Sequence, residues 1–344
     1  MPETDPEEAA DPSVSNDTLG AIRLSIQDQS TKGKRDYLSL LQDLTPEDAP
    51  KMIAMFQELG HLGFPTPEYD RLFWQRWAEI DGAAASAMMF DRDKRFKETN
   101  LSNLAISTWA KNDPDAATAW LFSQEDIPLR EGMTKGLIEG MAEHDPAAAM
   151  RFLDYTDLST EQLAHGYAQV AKQYHIQEGL DAVGQWYGEM AADDPNLELV
   201  INAATQIYAR APIAEALAWA DSLDGSSAAG SRTRDQLYAR IASGRPDNLL
   251  VYLGKEPGAS ALNGVGPLAQ QAVARWTQTN PGAMANWLKN NREIPNYDLV
   301  TTPFAVQIAS QDPEAALAWA DTLRDPDLRS AVRDQIAAMG NGGQ

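Results

Sequence analysis

The chain has 344 residues, 43% hydrophobic and 23% charged, which suits two or three globular domains or one elongated array and argues against wholesale disorder. Lys and Arg number 28 against 50 Asp and Glu, a net charge of −22 that repels phosphate backbones and anionic membrane surfaces. Nucleic-acid binding is therefore not expected, whereas a basic protein partner is allowed, and the lack of cysteine excludes disulfides, thiolate metal sites and a Cys nucleophile.

No run approaches the roughly 18 apolar residues that span a bilayer, so no membrane insertion is expected. The N-terminus carries no basic patch followed by an apolar core. The expected placement is cytoplasmic for the chain as given, or exported if a leader or anchor was removed. Residues 1–17 hold six acids and three prolines with no basic or aromatic residue, and read as a disordered acidic tail. Residues 18–64 read as N-terminal capping helices. Leu19, Ile22 and Ile26 mark a short helix and Tyr37 to Leu44 a second, with Lys32, Lys34 and Arg35 expected in the loop between them. Thr45-Pro46-Glu47-Asp48 reads as an N-cap with Pro in the first turn and acids facing the helix dipole.

Residues 65–340 repeat. Aligning the stretch Asp312 to Trp319 on the rest of the chain gives the series Met88, Trp120, Phe152, Trp186, Trp219, Tyr252, Trp287, Trp319, with spacings of 32 to 35 residues and a mean of 33. Seven residues before the aromatic stand Asp81, Asp113, Asp145, Asn280 and Asp312, with Gly179, Pro212 and Arg245 as departures. Pro usually follows. Asp-Pro is an N-cap followed by a residue with no N–H to lose, so each copy starts a helix there. Four residues before the Asp stands another large residue, such as Trp77, Trp109, His175, Tyr208 or Trp276. The alanines of the stretch are expected to form a packing face and the aromatic to plug the core beside it. A breaker-rich link and a second helix complete each unit. Pro267 and Pro303 fall within second helices, which are expected to start late or kink.

Two helices in about 33 residues cannot bury their apolar faces alone, and stacking neighbours predicts an all-α, right-handed α-solenoid superhelix of about eight αα-hairpin repeats. Asp-Pro-x-x-Ala-x-x-Trp, as in Asp113 to Trp120, resembles the junction between tetratricopeptide repeats. The Leu-Gly-x-x-Tyr of that family is absent after Trp120, so the chain resembles TPR-like or HEAT-like bacterial solenoids of uncharacterised function more broadly. The resemblance implies a protein-interaction scaffold and carries over no catalytic residue.

Residue by residue, chemistry is sparse. His61, His144, His165 and His175 form no helical metal-ligand pair, and His144 and His175 read as structural. Asp193-Asp194 before Pro195 reads as a helix cap. Gly264-Val265-Gly266-Pro267 and Gly225-Ser226-Ser227 read as loops. The register of the tryptophans favours a core role over carbohydrate stacking. Phe73, Trp74 and Trp77 are denser than the register requires; Trp74 is expected to be partly exposed and is the candidate partner contact. No catalytic, cofactor or metal residue is assigned. The leading expectation is a non-enzymatic protein-protein interaction scaffold. The alternatives are a helical-toroid enzyme or accessory domain acting on a cell-wall or polysaccharide substrate, and a purely structural spacer.

Overall fold

The computed structural model describes residues 16–96 and 100–341. Residues 1–15 of the expected acidic tail lie outside the described residues. Among the described residues there are twenty α-helices and no strand, so the chain is all-α. It divides into two compact units, residues 1–173 and 174–344, and the boundary falls inside one helix.

The first unit opens with α1 (Asn16–Gln27), α2 (Thr31–Leu40) and α3 (Ala49–His61). α2 begins earlier than expected. The Ser30 hydroxyl accepts from the Gly33 N–H at 3.2 Å, and this cap draws Lys32, Lys34 and Arg35 into the helix rather than a loop. Before α3 both the backbone N–H and the hydroxyl of Thr45 donate to the buried Asp48 carboxylate, at 3.1 and 2.7 Å. The box closes a 3₁₀ turn at Pro46–Asp48 ahead of the α-helix. Then follow α4 (Pro67–Ile80), α5 (Gly82–Phe96), α6 (Asn100–Asn112), α7 (Pro114–Phe122), α8 (Ile127–His144), α9 (Pro146–Tyr155) and α10 (Thr160–Glu178). α4 packs on α6 and α6 on α8, and each also packs on the helix that follows it. Ile22, Ile26, Tyr37, Met52, Phe56, Phe73 and Trp77 belong to one core cluster of this unit.

The second unit holds α11 (Leu180–Glu189), α12 (Leu197–Tyr208), α13 (Ile213–Ser222), α14 (Ala228–Gly244), α15 (Pro246–Lys255), α16 (Val265–Thr279), α17 (Pro281–Asn290), α18 (Tyr297–Ile308), α19 (Pro313–Ala320) and α20 (Pro326–Asn341). α12, α14, α16, α18 and α20 pack in succession, each on the next; α12, α14, α16 and α20 also pack on the helix before them in the chain, and α18 packs on α19. Pro267 sits in the first turn of α16, which starts late as expected, while Pro303 lies inside α18.

The caps are made where the sequence places them. Backbone N–H groups donate to Asp81, Asp113, Asp145, Asn280 and Asp312 at 2.8–3.0 Å. Gly179 departs because the backbone there has φ +97°, a left-handed conformation in which a side chain is strained. Asp194 does not cap α12. Its carboxylate accepts from the Asn196 N–H at 2.7 Å in the turn ahead of that helix.

The register aromatics are not core plugs, which corrects the expectation. Trp186 is buried, but Trp120, Phe152, Trp219, Tyr252, Trp287 and Trp319 are half-buried and Met88 is exposed. The core positions lie three before and one after the aromatic. Ala85, Ala117, Ala149, Val183, Ala216, Leu249, Met284 and Ala316 are all fully buried at the first. At the second, Met89, Leu121, Leu153, Ala220, Leu253, Leu288 and Ala320 are buried and Tyr187 is half-buried. These positions share a helical face that points inward; the aromatic sits beside it, and Trp120, Trp186, Trp219, Trp287 and Trp319 each lie against a ring of the preceding helix. Trp109 and Trp120 are 5.8 Å apart, Trp276 and Trp287 5.9 Å, and Tyr208 stacks on Trp219 at 3.9 Å. In the Trp186 copy the partner ring is Tyr174 at 6.1 Å, not the exposed His175 that the alignment places there.

Candidate functional site

Two of the three departures from the cap position meet in space. Where other copies carry Asp or Asn, the second unit has Arg245 between α14 and α15. It makes no side-chain cap; its Nη2 instead donates to the carbonyl of Ala211 at 2.8 Å, the residue before Pro212. Ala211 and Pro212 lie between α12 and α13, so the arginine ties two successive connections together.

One turn before the end of α14, Arg240 donates through Nη2 to Asn202 Oδ1 on α12. The same oxygen accepts from Gln236 Nε2 at 2.8 Å, which holds Asn202 with its oxygen toward α14. Arg210 follows α12 and is exposed. Arg210, Arg240 and Arg245 line one open cleft of about 460 Å³, together with Gln206 and Ser243. No carboxylate lines it. Among the described residues none of the three arginines forms an ion pair, although Arg23, Arg232 and Arg333 do. The Nε–H groups of Arg240 and Arg245 are buried and have no acceptor among the described residues. A buried donor left so costs about 1–3 kcal/mol.

Part of this arrangement has a local cause. The ends of α12 and α14 carry partial negative charge, and cations are favoured there. That accounts for one arginine at each helix end but not for three guanidinium groups converging without an acid. A second basic cleft, of about 590 Å³, lies at the ends of α15 and α17, and there Lys255, Lys289 and Arg292 share the lining with Glu293. The Arg245 cleft thus gathers guanidinium donors with no carboxylate in its lining, a chemistry suited to an anion.

The first unit offers a different surface. Phe122 at the end of α7 is 40% exposed, and Tyr155 at the end of α9 is 88% exposed. The Phe122 and Phe152 rings lie 6.2 Å apart, and the Arg130 guanidinium stands 5.8 Å from the Phe122 ring centroid.

Trp74 is not at the surface. It is 1% exposed, ringed by Phe73 at 5.2 Å and Trp77 at 5.1 Å, and its Nε1–H donates to Asp70 Oδ1 at 2.9 Å. The bond to Asp70, one turn earlier on α4, satisfies the indole N–H inside the core, so all three aromatics bury together. The expected exposure of Trp74 is thus corrected, and with it the route by which a partner would reach the indole.

The histidines do not converge. His144 Nδ1 lies 2.9 Å from the Lys111 carbonyl. His165 is partly buried, and desolvation holds its pKa below the ordinary histidine value. Among the described residues no three His, Asp or Glu side chains gather as a metal-binding group. No described helix is long and apolar enough to cross a membrane.

The sequence marked Arg245 and Pro212 only as departures. Arg210, Arg240 and Asn202 carried no signal, because their convergence depends on how α12 lies beside α14. The chain matches no protein-family model, and neither the curated proteins nor the solved structures include a match to it.

Proposed function

We propose that the chain is a non-enzymatic scaffold for a protein partner, built as TPR-like or HEAT-like stacked αα-hairpins with a period of about 33 residues in a right-handed superhelix. The succession of packed helices within each unit and the burial at the aligned positions support the repeat reading. In this reading the N-terminal helices before residue 65 act as a cap on the array.

The observation that carries the binding role is the exposure of Phe122, which lies against the half-buried Phe152, and of Tyr155. Large aromatic side chains at 40% and 88% exposure are not needed by the core, and rigid aromatic anchors dominate protein interfaces. The acidic character of the chain favours a basic surface on the partner. The test is a comparison of partner capture by the wild-type chain and by a Phe122→Ser, Tyr155→Ser double variant of equal stability, at low and high salt. A partner retained by the first and lost by the second supports the scaffold. Identical capture by both removes this surface from the reading.

A further inference from the structure

We propose that the Arg210–Arg240–Arg245 cleft is an oxyanion site that takes a dianionic phosphoryl group. The proposal is independent of the aromatic surface of the first unit, since it rests on a different unit and different residues.

The argument begins with charge. Carboxylates outnumber cations 50 to 28 in this chain, yet none lines this cleft. Elsewhere Arg23, Arg232 and Arg333 pair with Glu58, Glu198 and Asp321. Three arginines around one cleft with no acid in its lining repel one another, and an anion supplied from outside relieves that repulsion.

Geometry points the same way. Arg245 is fixed by Ala211 O and Arg240 by Asn202 Oδ1, each through one of the five N–H donors of a guanidinium. Both are held in place with donors to spare, so ordering costs little on binding. Arg210 is exposed and has no bond from its side chain among the described residues, which leaves it able to close over a ligand. Gln206 and Ser243 add neutral donors at the rim.

The class of ligand follows from the count of charges. A phosphoryl group carries about −1.5 to −2 at neutral pH and has three acceptor oxygens, which suits three guanidinium groups better than the single charge of a carboxylate. An extended polyanion is disfavoured because the net charge of −22 repels it beyond the cleft. The phosphoryl group can come from a small phosphorylated molecule or from a phosphorylated residue of a protein.

The experiment uses the full chain and titration calorimetry at constant ionic strength. The probes are inorganic phosphate, acetate, and a neutral peptide with and without one phosphoserine. Phosphate is expected to bind where acetate and added chloride give no signal, and affinity for the phosphoserine peptide should rise as pH passes about 6 and its phosphoryl group loses the second proton while the guanidinium groups stay charged. Arg210→Gln removes no structural hydrogen bond and should weaken binding about tenfold or more with unchanged melting temperature. Arg245→Lys serves as a second variant that keeps the charge but loses the planar fork, and it should weaken binding as well. A phosphoserine peptide that binds at least about tenfold tighter than free phosphate identifies a protein source; equal affinities identify a small molecule. The proposal is overturned if phosphate binds no better than acetate, or if Arg210→Gln binds phosphate as the wild type does.

Discussion

The close packing of α6 on α8 in the first unit can be tested by the sign of one substitution. α8 carries Gly136 and Gly140, four residues apart on the face that meets α6. A Cβ added at Gly140 would stand 2.1 Å from the Ser107 carbonyl oxygen, about 1.3 Å inside the 3.4 Å where ordinary contact begins, and 2.8 Å from the Ala110 Cβ. In an open helix interior, Gly→Ala stabilises by about 0.5–1 kcal/mol, because glycine loses more backbone freedom on folding. Here the obstacle is backbone, which cannot step aside as a flexible side chain would. Overpacking of this kind costs about 1–3 kcal/mol. The net expectation for Gly140→Ala is a loss of about 0.5–2 kcal/mol. Gly20→Ala on α1, with nothing within 4 Å of the added carbon, is the matched control and should gain about 0.5–1 kcal/mol. Urea unfolding followed by far-ultraviolet circular dichroism reads both as shifts of the midpoint, downward for the first and upward for the second. A rise for Gly140→Ala would refute the close approach of α6 and α8.

Three other outcomes follow from the same reasoning. Asp312→Ala removes the acceptor of the Ala315 N–H and should cost about 0.5–2 kcal/mol in thermal or urea unfolding, with Asp312→Asn close to wild type; equal losses for both would show that the side chain is not acting as a cap. Trp319→Ala should cost about 1–3 kcal/mol, less than the 3–5 of an enclosed aromatic, because solvent can fill the space beside Phe304; a loss above that range would restore the core-plug reading. Burial, then Asp181 and Glu215, push the Tyr208 phenol up to about 12. The folded state holds that proton more tightly than the unfolded chain, whose phenol titrates near about 10. This contribution is complete below pH 10 and is lost as pH rises toward 12, so Tyr208→Phe should show a shallower alkaline fall in melting temperature, and an unchanged slope would discount the group.

The legible part of the fold is the part written in local chemistry. Asp113, Asp145 and Asp312 cap the helices that follow them because an Asp side chain, a Pro and three backbone N–H groups are all within four residues of one another. The burial of Trp74 is not legible from helical spacing, because it depends on Asp70 meeting the indole N–H inside the core. The register tryptophans depart from the expected core role for a related reason. Size and recurrence suggest a core residue, but the inward face of each short helix is set by Ala, Leu and Met at offsets of three before and one after, and a large ring beside that face stacks on its neighbour.

The same distinction locates the candidate site. A repeated position is under the same packing demand in every copy, so it says how the chain is built and little about what one copy does. Position 245 forgoes the carboxylate that would cap α15, at a cost of about 0.5–2 kcal/mol in helix stability. Its guanidinium instead reaches Ala211, in the connection where Pro212 breaks the register one copy earlier. Neither change improves the helix it belongs to. Together with Arg240 and Arg210 they gather positive charge in a cleft whose lining holds no carboxylate. Local stability given up in adjacent copies, in favour of unpaired charge in one cleft, is the pattern expected of a binding site rather than of drift in a scaffold, where losses would scatter and acids would fill the gaps.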